Sequence, residues 1–408
     1  MGVQLDLKGY QKTEIGVIPK DWCVKRLKDI AEINKESLKG NTDKEYKFYY
    51  YDLSSVNKGK LLKPTEKIQF KNAPSRARRV FKRNNILMST VRPYLQGFAY
   101  IDFESDDCIC STGFAVISGE RPSDIKYIYH NLFSYTITNQ IQRLLVGSNY
   151  PAINTEDVEN LKIPYPNNKN ERAEIASILS TWDKAIELKE KLIEQKKQQK
   201  KGLMQKLLTG EVRLPGYSGE WKKVKLGEIL KERKETGYTE LELLAITSSK
   251  GVVKRTEVDI KDNSSEDKSK YKRILPNDIG YNTMRMWQGV SGVSKYEGIV
   301  SPAYTILKPT NKVNSNFIGY LFKLPKIINL FRRYSQGLVS DTLNLKYENL
   351  KGIKVTIPQD VEEQKKIAEI LLSIDNEIEM LQEYVNYLKQ QKKGLMQLLL
   401  TGKVRVKV

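Results

Sequence analysis

The sequence is poor in the residues that do chemistry. Its 408 residues include one histidine, His130, and three cysteines, Cys23, Cys108 and Cys110. A single imidazole excludes a His-rich metal site and almost all histidine-based acid–base machinery. His130 lies in the aromatic stretch YIYHNLFSY, where a packing role is expected. Cys108 and Cys110 form a C-x-C with no second ligand pair, which argues against zinc. Three thiols cannot all pair, so nothing points to an oxidising compartment. No apolar run approaches the roughly 20 residues of a membrane span. The polar start MGVQLDLKGYQKTE lacks a secretory apolar segment. Neither a GxxxxGK[ST] loop nor a dinucleotide fingerprint occurs, so a nucleotide cofactor has no evident cradle. Asp360, Glu363 and Lys365 superficially suggest a nuclease cluster. They stand at an expected helix start, where acidic residues favour the dipole, and their counterparts are Asn168, Glu171 and Ala173. The chain reads as cytoplasmic and non-enzymatic, without metal or cofactor.

Positive charge and repetition are what the chain does have. Lys and Arg number 69 against 49 Asp and Glu, a net charge of +20. Such a field attracts polyanions, and without a lipid motif or amphipathic anchor the expected partner is nucleic acid rather than membrane. Residues 197–213, KQQKKGLMQKLLTGEVR, return as residues 389–405, KQQKKGLMQLLLTGKVR, changed only at Lys206/Leu398 and Glu211/Lys403. A period of 192 residues means two copies of a domain-sized unit, far too long for a solenoid repeat. Fainter echoes keep the same order. IPKDWCVKRLKDI (18–30) answers SGEWKKVKLGEI (218–229), NNILMSTVRPYLQG (84–97) answers NDIGYNTMRMWQG (277–289), and PNNKNERAEIASIL (166–179) answers PQDVEEQKKIAEIL (358–371).

The expected organisation is a module at 1–165, a long helix at 166–213, a second module at 214–357 and a second long helix at 358–408. KFYYYDLSSV and NNILMSTV read as strands, the aromatic run Phe48–Tyr51 being core rather than a stacking platform. IKYIYHNLFSYTITNQIQRLL and SNFIGYLFKLPKIINLFRRY read as helical, and each module ends on Ile-Pro, at Ile163-Pro164 and Ile357-Pro358. In the last segment Ile367, Leu371, Ile374, Ile378, Leu381, Val385, Leu388, Leu395 and Leu399 form a heptad seam broken at Lys392. The first copy carries Ile175, Leu179, Trp182, Ile186, Ile193, Leu203 and Leu207, with Lys189, Lys196 and Lys200 interrupting. The lysines are expected in solvent or facing a partner. The fold class that follows is α+β: two similar mixed α/β modules joined by two long antiparallel coiled-coil helices, with pseudo-two-fold symmetry. That symmetry suits a duplex reader with two half-sites.

The segment GVIPKDWCVKRLKDI, the duplicated KKGLMQ-LLTG-VR and the two-module, two-helix order resemble the specificity subunit of type I restriction–modification systems. The resemblance implies that each module is a target recognition domain for one half of a bipartite double-stranded DNA target. It implies helices that set the spacing and dock methyltransferase subunits, with restriction ATPase subunits joining through the complex. Methyl transfer and cleavage would then belong to those partners. A coiled-coil adaptor with incidental charge is the competing reading.

Candidate DNA contacts come from the residues. Each module has a strand leading into an Arg–aromatic–Gln–Gly loop: Arg92, Tyr94 and Gln96 in the first, Arg285, Trp287 and Gln288 in the second. Arg can grip guanine or phosphate and Gln can read adenine. A second pair of loops, GSNYPAIN (147–154) and GLVSDTLN (337–344), offers Ser148, Asn149 and Tyr150, and Ser340 and Thr342. The basic runs Arg76, Arg78, Arg79, Lys82, Arg83 and Lys268, Lys270, Lys272, Arg273 are expected to meet phosphates.

Overall fold

A computed structural model describes residues 9–104, 106–147, 149–248, 250–258 and 265–408. The chain divides into two compact units, residues 1–189 with 384–408, and residues 190–383. Each unit holds one module, one half of the first long helix, Lys169–Leu207, and one half of the second, Val361–Leu399.

Within the first unit the main sheet runs, in spatial order, Phe98–Tyr100, Ile86–Ser89, Phe114–Ser118 and Glu32–Ile33, all antiparallel. Its residues alternate between two cores, as the two-residue period of a strand requires. Ile86, Met88, Ala115 and Ile117 pack with Ile125, Ile128 and Ile137 of the helices Pro122–Leu132 and Tyr135–Leu144. Leu87, Phe114 and Val116 pack the other way, against Tyr51, Val56 and Phe81. There a second sheet orders Ile68–Gln69, Lys47–Tyr51, Cys108–Ser111 and Ala77–Val80, with the middle pair parallel. The long aromatic stretch is two helices rather than one. Phe133 closes the first and Ser134 caps the second, its hydroxyl accepting the Ile137 N–H.

The second unit repeats the scheme: Ser291–Val293, Ile279–Asn282, Tyr304–Pro309 and Leu230–Arg233, again all antiparallel. Helices Ser315–Leu321 and Pro325–Tyr334 follow, the second starting on a proline that needs no N–H partner. Gly280 stands where the first module has Leu87. A Cβ there would meet Ile246 Cδ1 at 2.5 Å, so the outer strand pair Leu244–Thr247 and Gly251–Lys254 lies close against the sheet. Each module closes on an antiparallel strand pair, Trp22–Arg26 with Lys162–Pro166 and Trp221–Lys225 with Lys354–Pro358. The register sets Trp22 opposite Pro166 and Trp221 opposite Pro358, so the counterpart of Pro358 is Pro166. Ile163-Pro164 lies inside its strand.

The long helices have 39 residues each, on the order of 58 Å. Their halves run antiparallel within each unit, because rising numbers in one meet falling numbers in the other. In the second unit Lys196 pairs with Glu377 at 2.8 Å, Lys200 with Asp375 at 2.6 Å and Arg213 with Glu363 at 2.7 Å. In the first, Asp183 pairs with Lys392 at 2.5 Å and Glu171 with Arg405 at 2.6 Å. The seam residues Ile175, Leu179, Ile186, Ile193, Ile367, Leu371, Ile374, Ile378, Val385 and Leu388 are buried. The interrupting lysines are not simply solvated, which corrects the sequence expectation. Lys200 and Lys392, at equivalent positions, each meet the equivalent aspartate of the opposing helix half, and Lys189 lies 5.5 Å from the Tyr384 ring. An aliphatic stem can cover the seam while its ammonium finds a carboxylate.

The repeated GEVR and GKVR words also acquire a physical role. Arg213 donates through Nε and Nη2 to Glu363, and Trp221 Nε1 donates to the same carboxylate at 3.4 Å. Arg405 does the same to Glu171, with Trp22 Nε1 at 3.2 Å, and also grips Asp21. Both glutamates are 1% exposed. A buried carboxylate needs such partners, and Glu363 is thereby held in a structural clasp, its charge committed to Arg213 and Trp221.

Candidate nucleic-acid interface

The inner strand of each main sheet leaves the core and turns sharply over its end. Arg92 precedes the short helical turn Pro93–Leu95, and Arg285 precedes Met286–Gln288. The second paired loop folds onto this turn in both modules. Arg92 adopts a left-handed backbone, φ 48°, its N–H donating to the Pro151 carbonyl at 2.7 Å. Its guanidinium donates to the Asn149 carbonyl at 3.1 Å and lies 4.4 Å from the Tyr150 ring. In the second module Leu345 N–H donates to the Thr283 carbonyl, and Arg285 Nη1 stands 4.0 Å from Asp341. The two loops thus form one ledge per module. Arg285 and Gln288 are exposed on it, Tyr94 is exposed and Trp287 is half-buried, its indole donating to the Met284 carbonyl. Ser340 and Thr342 are exposed, though the Thr342 hydroxyl accepts from Val339 N–H and donates to Val339 O, closing its own turn. Ser148 lies outside the described residues.

The repeat between the turns is looser than the words suggest. Both turns close on a left-handed residue, Gln96 at φ 57° and Gly289 at φ 79°. Gln96 is therefore the counterpart of Gly289, and the exposed Leu95 that of Gln288. The two glutamines do not occupy equal positions. Glycine suits the second module's turn, which is left-handed there at φ 79°, and a Cβ on Gly289 would meet Ile328 Cδ1 at 2.8 Å and push that side chain aside.

The basic runs separate into free and committed charges. Arg79 turns inward and donates to the Phe114 carbonyl; its structural counterpart Lys272 donates to the Tyr304 carbonyl at 2.7 Å. Burial pushes both cations down from their ordinary pKa values. Phe114 and Tyr304 begin equivalent strands, so the pair is a repeated pin between sheets. Arg78 lies 4.7 Å from the Phe70 ring and donates to the Ala77 carbonyl. Arg273 is held by Glu235 and Glu297 over Tyr238, and the Glu297 carboxylate holds its guanidinium protonated beyond the usual range. Lys82 and Arg83 pair with Glu36 and Glu104. Arg76 and Lys270 are exposed, neither making a side-chain hydrogen bond or close ion pair among the described residues, although the Lys270 charge is felt by Asp267.

Sequence reasoning missed part of the ledge. The large hydrophobics left exposed in the modules include Tyr94, Leu95, Val146 and Tyr150 in the first, and Met284, Tyr334, Leu338 and Val339 in the second. All eight lie on the turn, on the loop or at the helix end leading into it. Exposed Arg143, and Arg332 with Arg333, occupy the last helical turn before that loop. The shared signal was an arginine a few residues before Gly147 and Gly337. Apolar tips rimmed by cations suit a polyanion that also offers aromatic edges. His130, as expected, packs: it is 1% exposed, with Nε2 3.1 Å from the Ser180 hydroxyl and Nδ1 3.7 Å from Asp183. Among the described residues no three His, Cys, Asp or Glu side chains gather as metal ligands, and no helix is long and apolar enough to cross a membrane.

Comparison with known proteins joins these features. Residues 19–198 and 218–390 each match the family model of the type I restriction modification DNA specificity domain. The "Putative type I restriction enzyme MjaX specificity subunit" of Methanocaldococcus jannaschii is 26% identical, over 98% of this chain and 97% of its own. The type I restriction enzyme MjaVIII specificity subunit of the same organism is 28% identical over 51% of this chain and 50% of its own. Among solved structures, the S subunit of a type I restriction–modification system from M. genitalium superposes with a TM-score of 0.58 at 17% identity, covering 93% of this chain and 96% of that one. A chain from work on complex assembly and conformational transition of the type I R-M system gives 0.59 at 22% identity, covering 95% and 99%. Matched in both halves by one model, the chain belongs to the type I restriction–modification DNA specificity family and carries two specificity domains.

Proposed function

We propose that this chain is the sequence-reading subunit of a type I restriction–modification complex, each module reading one half of a bipartite duplex target. The observation that carries the reading is the duplicated ledge: one arginine-led turn, one covering loop and one rim of free cations, built twice on the same strand order. Phosphates would meet Arg76, Lys270 and the helix-end arginines, while Arg92, Tyr94, Gln96, Arg285, Trp287 and Gln288, together with Asn149, Tyr150, Ser340 and Thr342, face base edges and sugars. The long helices set the distance between half-sites and dock methyltransferase subunits, and the restriction ATPase subunits join through that complex. Methyl transfer and cleavage are the work of those partners, so the subunit itself needs neither metal nor cofactor.

Selection of duplexes from a random pool by the full chain tests the reading. Two short motifs at one fixed separation are expected, with log affinity falling linearly against log salt, by about 0.9 per phosphate neutralised. A protein that enriched no sequence, and whose weak DNA binding ignored salt, would overturn it.

A further inference from the structure

Lys323 is a half-buried cation that the reading above does not use. It lies between the helices Ser315–Leu321 and Pro325–Tyr334, and its ammonium donates to the Gly289 carbonyl at 2.8 Å and the Ser291 carbonyl at 2.7 Å. Those two carbonyls flank the exit of the Met286–Gln288 turn into the strand Ser291–Val293. Gly289 and Ser291 are buried, so water is a poor substitute donor. Burial, with the Lys200 ammonium nearby, pushes the Lys323 pKa down to about 8. The charged groups on the packed elements are Lys200 and Asp375 of the seam, joined by Tyr320, whose hydroxyl donates to Asp375 at 2.7 Å. The first module has no such donor. The corresponding residue is Phe133, whose ring sits 5.5 Å from Phe98 and 5.2 Å from Tyr129.

We propose that Lys323 is a positioning residue for reading the second half-site: it fixes the exit of the turn that presents Arg285, Trp287 and Gln288, a task the first module leaves to apolar packing. The proposal rests on the reading of the ledge as a DNA interface. A turn whose two exit carbonyls lose their shared donor can still carry its side chains to DNA, but not at one fixed height and angle. Non-specific attraction should survive and discrimination should not.

The test uses the full chain and three duplexes: the selected target, the target altered in its first half, and the target altered in its second half. Lys323→Met should lower discrimination against the second-half alteration at least tenfold and leave first-half discrimination and salt slope unchanged. Lys323→Gln, with a neutral and shorter amide donor group, should fall between. A pH series separates positioning from general weakening. Between pH 7 and 9 the wild-type chain should lose second-half discrimination as the ammonium deprotonates, whereas the first half stays level and the Lys323→Met profile is flat. Should Lys323→Met fail to fold, the glutamine variant and the wild-type pH series still decide. Equal loss at both halves, or variants indistinguishable from wild type, would overturn the role of Lys323. A wild-type chain that discriminates at neither half would instead overturn the reading of the ledge.

Discussion

The two modules share a strand order and a register but differ in what fills them. Leu87 becomes Gly280, Phe133 becomes Lys323, His130 becomes Tyr320 and Gln96 becomes Gly289, while Ile86, Met88, Ala115 and Ile117 keep buried counterparts in Ile279, Tyr281, Thr305 and Leu307. The helix-facing positions are conserved in kind because one long-helix half and two short helices must close over them in both units. The outer sheet and the ledge answer to something else. The first ledge is held by Arg92, its backbone left-handed and its guanidinium over the Tyr150 ring, the second by a half-buried lysine and a close-packed glycine. Two different supports for one shape indicate that the shape is what both modules require.

The largest effect tests what the units have in common. Arg213→Ala and Arg405→Ala each strand a glutamate that is 1% exposed, and each should cost about 2–3 kcal/mol, the low end of buried-pair values because both arginines are partly wet. Urea unfolding followed by hydrogen exchange should place the first loss in residues 190–383 and the second in the other unit. A loss below about 0.5 kcal/mol in either unit would break the equivalence of the two clasps.

Next comes the interface itself. Arg285→Ala should weaken the intact target by roughly 1–3 kcal/mol if the guanidinium grips a base edge, and less for DNA altered in the second half. Weakening of all sequences alike, with a salt slope lower by about one, would make it a phosphate contact. Titration with labelled duplexes at several salt concentrations separates these results.

Acid should distinguish the modules too. Burial, and then the Lys392 ammonium, push the His130 imidazole down to about 3 from an ordinary 6.5. The folded state favours the neutral ring, so its contribution is complete above pH 6.5 and is lost as pH falls towards 3. The loss is up to about 1.4 kcal/mol per pH unit. His130→Tyr, copying Tyr320, should flatten the acid limb of the first unit's stability in melts between pH 7 and 4. A variant as acid-sensitive as the wild type would remove His130 from the account.

The smallest effects concern the basic runs. Arg79→Met and Lys272→Met should lower stability by about 1 kcal/mol, a charged donor's hydrogen bond partly offset by relief of its buried charge, and leave the salt slope of DNA binding alone. Arg76→Ala and Lys270→Ala should do the reverse, each reducing the slope by about one. The opposite pattern would return the inward pair to the interface.

Much of the architecture was legible because it is written in periodic apolar residues. The strand at 86–89 is read from its β-favouring residues, the heptads at 367–388 from their spacing, and Trp22 with Trp221 from the repeated words. The polar interior was not. Seam lysines look solvated until an aspartate on the opposing helix half, some 175 to 209 residues away, is brought to them. Arg79 and Lys272 look like phosphate contacts because a strand's alternation says which face a side chain takes, not that a carbonyl waits there. That the two loops meet at the end of one strand was not legible, since more than fifty residues separate Arg92 from Asn149 and Arg285 from Asp341. Their apolar tips went unnoticed because exposure belongs to the tertiary structure.

Exchange of residues 214–357 for the corresponding module of another specificity protein tests most directly whether each module reads its own half. With duplexes selected from a random pool by parent and chimera, one half of the target should change while the other half and the separation between them persist. A chimera whose selected sequences changed in both halves would contradict the account.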